Sequence, residues 1–156
     1  MLQGKGRSIS DRSSTIGCIG EIIGGMQGAI TPFTEVGSFF NFLYATHRLF
    51  PQFLQPILQL LFAALSDSDF QVKSNGAFAS GMLVEHSDTD LSSQYMHLLA
   101  VLRPLFELPG EGPLAAQCNS RDNAAGAVAR MICKNTGAVP LDQVRVDCRF
   151  HISVHH

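Results

Sequence analysis

Three stretches of this 156-residue chain are written to one plan. Residues 12–23 read RSSTIGCIGEII, residues 73–84 read KSNGAFASGMLV and residues 121–132 read RDNAAGAVARMI. Each opens on a base, continues with a short polar pair, passes through small residues and closes on apolar ones. Ser14, Asn75 and Asn123 align, and so do Gly20, Gly81 and Ala129. Such self-similarity constrains the fold strongly. A unit that cannot bury its own apolar face must stack on copies of itself.

The unit is a pair of helices. Leu54, Ile57, Leu58, Leu61, Phe62 and Leu65 fall at the spacing of one broad apolar face of a 3.6-residue helix. Ser66-Asp67-Ser68-Asp69 follows, and any of these side chains can cap a second helix starting near Asp69. That helix carries the small-residue run Gly76-Ala77-Phe78-Ala79-Ser80-Gly81, which lets another helix approach closely. The third copy is preceded by a similar apolar stretch, 95–106, with Leu98, Leu99, Leu102, Leu105 and Phe106. The chain therefore predicts an all-α fold, an α-α superhelix of about two and a half helix pairs. We expect each pair to pack antiparallel in a right-handed stack with apolar, aggregation-prone end faces.

The copies are unevenly spaced. Arg12 to Lys73 is 61 positions and Lys73 to Arg121 is 48. Two-helix repeats of the HEAT and armadillo type run about 40–47 residues. The loop Pro109-Gly110-Glu111-Gly112-Pro113 accounts for the second excess. The first excess lies at 36–52, VGSFFNFLYATHRLFPQ, whose removal restores 44. Its ends carry the residues that intron boundaries encode, so it reads either as a translated intron or as an apolar insertion forming an extra helix. Residues 144–156, VRVDCRFHISVHH, have lost the helix period and read as a non-native tail. The expected organisation is a HEAT-repeat unit over 1–143, with 36–52 a candidate inserted segment, followed by the tail at 144–156.

Composition excludes several classes. The chain is 46% hydrophobic and 15% charged, which argues against disorder. A net charge of −2 is no match for nucleic acid, so no direct contact with it is expected. No unbroken apolar run is long enough to span a membrane, and the N-terminus lacks the apolar region of a secretory signal. Cys18, Cys118, Cys133 and Cys148 show no CxxC spacing and read as reduced thiols. Gly24-Gly25 reads as a helix C-cap. No nucleotide-binding or nucleophile-elbow motif is present, and no catalytic residues emerge, so the chain does not read as an enzyme. Cys148, His151, His155 and His156 sit at zinc-ligand spacing. The bland reading is an accident of the tail, and neither a metal nor a cofactor is expected.

Residues 11–35 and 53–143 resemble the C-terminal half of a member of the importin-β family of karyopherins. The motifs that carry the resemblance run from Asp11-Arg12-Ser13-Ser14 to Glu21-Ile22-Ile23, then Ile30-Thr31-Pro32-Phe33-Thr34-Glu35. They continue through Ala64-Leu65-Ser66-Asp67, Gln71-Val72-Lys73-Ser74-Asn75, Gly81-Met82-Leu83-Val84-Glu85-His86 and 121–130. The resemblance implies nuclear import of basic cargo, including histones and ribosomal proteins, by a receptor moving between cytoplasm and nucleus. It also implies that the small GTPase Ran binds only through N-terminal repeats, which nothing here matches. In this family the second helix of each pair lines the concave side. That places Ser14, Glu21, Asn75, Glu85, Asp122 and Asn123 as candidates for cargo binding. An amide can hold an extended peptide's backbone. The competing reading of the asparagines is a ladder tying adjacent repeats together, that of Asp122 is a pair with a nearby base, and that of the glutamates is solvated surface. A different class of function, a HEAT scaffold holding a multi-protein assembly, fits the same residues.

Overall fold

The computed structural model describes residues 7–27, 54–107 and 115–141. Five α-helices account for most of these: α1 (Ile9–Met26), α2 (Leu54–Leu65), α3 (Phe70–His86), α4 (Ser92–Leu102) and α5 (Ala115–Lys134). No strand occurs among the described residues. The segment 36–52, the tail 144–156 and the zinc-spaced residues of that tail lie outside the described residues.

Each boundary has a local cause. Ser8 caps α1 with a reciprocal box: its Oγ accepts from the Asp11 N–H at 3.1 Å, and the Asp11 carboxylate accepts from the Ser8 N–H at 3.2 Å. Asp69 caps α3, accepting from the N–H groups of Gln71 and Val72 at 2.9 and 3.1 Å. Past Leu102 the apolar stretch before the third copy tightens into a 3-10 turn, Arg103–Leu105, where Pro104 has no N–H for an α-helical bond.

One expectation fails at the end of α1. Gly24 and Gly25 do not cap the helix, which continues through both to Met26, and Gln27 takes the positive φ of 47°. A Cβ on Gly24 would stand 2.5 Å from the Met82 Cε, the movable tip of a side chain on α3.

The helices sort as the repeat requires. α3 lies between α1 and α5, so the three matched segments sit side by side, while α2 covers α3 and α4 touches both α2 and α5. The core runs along this seam, with Ile16, Leu58, Leu61, Leu83, Tyr95, Leu98, Leu102 and Met131 fully buried. α3 is enclosed on several sides, which explains its weak amphipathicity: Val72, Ser74, Ala77, Ala79, Gly81 and Val84 are all buried. Small side chains permit this enclosure because they let backbones approach. A Cβ on Gly20 would lie 2.8 Å from Phe78 and 3.2 Å from the Ala79 Cα. One on Gly81 would lie 3.1 Å from the Ala127 Cα. Gly20 and Gly81 are aligned copies, and Ala79 and Ala127 are 48 positions apart, as Lys73 and Arg121 are. The α1–α3 contact is therefore repeated as the α3–α5 contact.

Gly20→Ala should cost about 1–3 kcal/mol in urea unfolding, because the new methyl meets the Phe78 ring and, behind it, the Ala79 backbone. Gly25→Ala, which would meet nothing within 4 Å, should be neutral or stabilise by up to about 1 kcal/mol by the gain in helix propensity. Equal effects at both sites would refute the close-approach reading.

Candidate surface on the second helices

The aligned polar positions meet one another across the helix contacts. Asn75 Nδ2 donates to the Ser13 carbonyl at 2.8 Å and to the Ser13 Oγ at 3.0 Å. One repeat further, Asn123 Nδ2 donates to the Ser74 carbonyl at 3.2 Å and to the Ser74 Oγ at 3.0 Å. Ser13 and Ser74 are buried, and each is itself one member of the polar pair. These are two rungs of one ladder. The amide nitrogens are thus committed to holding repeats together, as the ladder reading expects. Their oxygens face other demands. Asn75 Oδ1 accepts from the exposed Gln71 side chain at 3.3 Å, and Asn123 Oδ1 accepts nothing among the described residues. Ser14, at the same position of the first copy, is exposed.

The acids divide. Glu85 is exposed and accepts from the Arg130 Nε at 2.6 Å, while Lys134 Nζ donates to its carbonyl at 3.2 Å. The Arg130 hydrogen bond, with further attraction from Arg130, His86 and Lys134, outweighs a burial penalty and holds the Glu85 carboxyl below its ordinary value. Asp122 is exposed beside Arg121, its carboxylate 3.6 Å from the guanidinium. Glu21 is exposed and has no ionic partner among the described residues.

A further acid was not singled out by sequence. Arg12 grips Asp67 with Nε at 3.0 Å and Nη2 at 3.2 Å, fastening the α2–α3 turn to α1. The Asp67 carboxylate also accepts from the Asp69 N–H at 3.0 Å. Burial works against the charged form, but Arg12, Asp69 and Ser68 together overcome it and lower the Asp67 pKa. A base opens every copy, which marks Arg12; nothing local marks its partner 55 residues away. Glu85 and Arg130 lie 45 residues apart and were equally hidden. No cluster of three or more potential metal ligands forms among the described residues.

The chain is 34% identical over 135 residues to the probable importin subunit beta-4 of Schizosaccharomyces pombe, covering 86% of this chain. It is 26% identical over 140 residues to human importin-4, covering 90% of this chain. In both cases it spans 10% of the relative's length. No protein-family model matches it, and no solved structure does. In sequence the chain is similar to a short stretch of an importin-4-type karyopherin.

Truncating either side of a rung should be expensive once, not twice. We expect Asn75→Ala and Ser13→Ala each to cost about 1–2 kcal/mol, with a coupling of about 1 kcal/mol in the double-mutant cycle. Strict additivity would show that the hydroxyl half of the rung carries no energy, since the bond to the Ser13 backbone carbonyl survives Ser13→Ala. Acid acts at the Arg12–Asp67 clamp. Asp67 has a folded pKa below its unfolded one, so its contribution is complete above about pH 4 and fades as pH falls through the lower folded value. Asp67→Asn should therefore flatten the acid side of a stability–pH curve; an unchanged slope would contradict the clamp.

Proposed function

We propose that this karyopherin-like stretch is part of a nuclear transport receptor, and that it contributes a segment of the surface on which basic protein cargo lies. Cargo of the histone or ribosomal-protein type suits it, and its place of work is the cytoplasm and nucleus. Contact with Ran would fall to other repeats of the receptor. Names of the two relatives support the receptor assignment; the cargo assignment rests on the side chains.

The observation that carries it is the recurrence of an amide in two of the three copies with its nitrogen tied down; the Asn123 oxygen accepts nothing among the described residues, and the Asn75 oxygen, bonded to Gln71, keeps a second lone pair. Packed helices sit about 8–10 Å apart, and an extended peptide advances about 3.3–3.6 Å per residue. Successive amides therefore meet about every third residue of a strand lying across the helices. Asn75 and Asn123 supply backbone recognition, and Ser14 supplies a hydroxyl at the first position. Acids add charge. Glu21 acts most directly, since none of the described cations pairs with it; Glu85 and Asp122 must share theirs with Arg130 and Arg121. Each exposed pair is worth only about 0.2–1 kcal/mol and is screened by salt. Binding by this short segment alone is accordingly weak, and affinity in a long receptor comes from many such contacts.

The test is fluorescence anisotropy of a labelled Lys/Arg-rich histone-tail peptide titrated with the chain. Binding should weaken as salt rises, and Glu21→Gln should weaken it about two- to fivefold at low salt, with smaller losses for Glu85→Gln and Asp122→Asn. Binding that ignores salt and all three substitutions would remove the acidic surface from the reading.

A further inference from the structure

We propose that Arg130 is a built-in occupant of the place on the α3–α5 contact where a cargo cation would bind, so that basic segments are turned away from Glu85 and settle over the α1–α3 contact at Glu21. On the reading of the second helices as a cargo surface, on which this rests, Arg130 sets which part of that surface is open. The two helix contacts are copies that differ at one place. Glu21, Met82 and Arg130 align, and so do Gly24, Glu85 and Cys133. Met82 reaches back from α3 to α1, its Cε 2.5 Å from where a Cβ on Gly24 would stand. Arg130 reaches back from α5 to α3 in the same way. Its Cδ lies 3.2 Å from where a Cβ on Gly81 would stand, and its Nε donates to the Glu85 Oε2 at 2.6 Å. Met82 over Gly24 and Arg130 on Glu85 are therefore one contact in successive repeats.

In the first copy that contact is apolar. It leaves Glu21, one turn before Gly24, exposed and without a partner among the described cations. In the second copy the contact is an ion pair, and the acid already holds a guanidinium. Arg130 has what a cargo arginine would bring. Its stem lies along small residues, with Nη1 3.0 Å from where a Cβ on Gly126 would stand, while its head meets the carboxylate. A tethered cation also escapes the loss of translational and rotational freedom that a separate molecule suffers on binding. A surface pair is weak, yet its rival from solution gains no more and starts from that disadvantage. Two further cations stand nearby. Lys134 Nζ donates to the Glu85 carbonyl at 3.2 Å, and His86 Nε2 lies 4.0 Å from the carboxylate. Neither hydrogen-bonds the carboxylate itself, so among the described residues Arg130 is the one that fills the position.

Fluorescence anisotropy with the Lys/Arg-rich histone-tail peptide tests this on the full chain. Arg130→Met gives α5 the residue that α3 carries at the aligned position, keeping the stem and removing the charge. It should tighten binding about two- to fivefold at low salt, with circular dichroism unchanged, and Arg130→Gln should do the same. Adding Glu85→Gln to Arg130→Met should cancel the gain. Carboxyl-carbon NMR locates the cation: the peptide should move the Glu21 signal in the unmodified chain, and both the Glu21 and Glu85 signals in Arg130→Met. If both natively folded Arg130 variants bind no more tightly while Glu21→Gln still weakens binding, this proposal is overturned and the transport reading stands. A gain that persists without Glu85 also overturns it, since loss of a positive charge would then explain the effect by itself. A peptide that binds neither the unmodified chain nor the variants overturns both.

Discussion

The asparagine rung sets the geometry on which the remaining contacts depend. Asn75 and Asn123 each carry an amide into a helix contact that is otherwise lined by small and apolar groups. A polar group placed there is costly unless it is bonded. Each amide nitrogen meets that demand with the same pair of acceptors, the carbonyl and hydroxyl of the serine one repeat earlier. A side chain that short reaches a neighbouring backbone only if the helices are very close. Closeness in turn requires Gly20 opposite Ala79 and Gly81 opposite Ala127. The amide fixes register and the glycine fixes distance, and neither works without the other.

Around this seam the other elements take supporting parts. α2 and α4 lay apolar faces over the second helices, with Leu58, Leu61, Leu98 and Leu102 excluded from water. Their burial, about 1.5–3 kcal/mol for each leucine, supplies the gross driving force. It has little directional content, however, and would tolerate sliding. Sliding is opposed by the rungs at one end of the contact and by ion pairs elsewhere. Arg12 holds Asp67 in the α2–α3 turn, and Arg130 holds Glu85 near the end of α3. The same economy limits what the surface offers a ligand. Two of the acids that face outward are partly spent on the chain's own bases.

Much of this was legible before any coordinates. The limits of α2, a cap from one of the four side chains 66–69 and the alignment of three segments all follow from local pattern, because helix period, capping chemistry and small-residue runs act over a few positions. The ladder was legible as one of two readings, since aligned asparagines in a repeat either face a ligand or face each other. Long-range electrostatics were not legible. Arg12–Asp67 and Arg130–Glu85 join residues 55 and 45 apart, and a charge does not announce its partner. The Gly24-Gly25 reading went wrong for a related reason. A glycine that ends a helix and a glycine that lies within one look alike in sequence, and here the helix runs on through both to Met26.

The central claim is that the carboxamide of each second helix is locked onto the helix before it. Side-chain amide hydrogen exchange by NMR measures this directly. Locked amides at Asn75 and Asn123 should exchange far more slowly than the exposed Asn119, and should show cross-peaks to the β-protons of Ser13 and Ser74 respectively. Exchange at the rate of a freely solvated asparagine, with no such cross-peaks, would contradict the account.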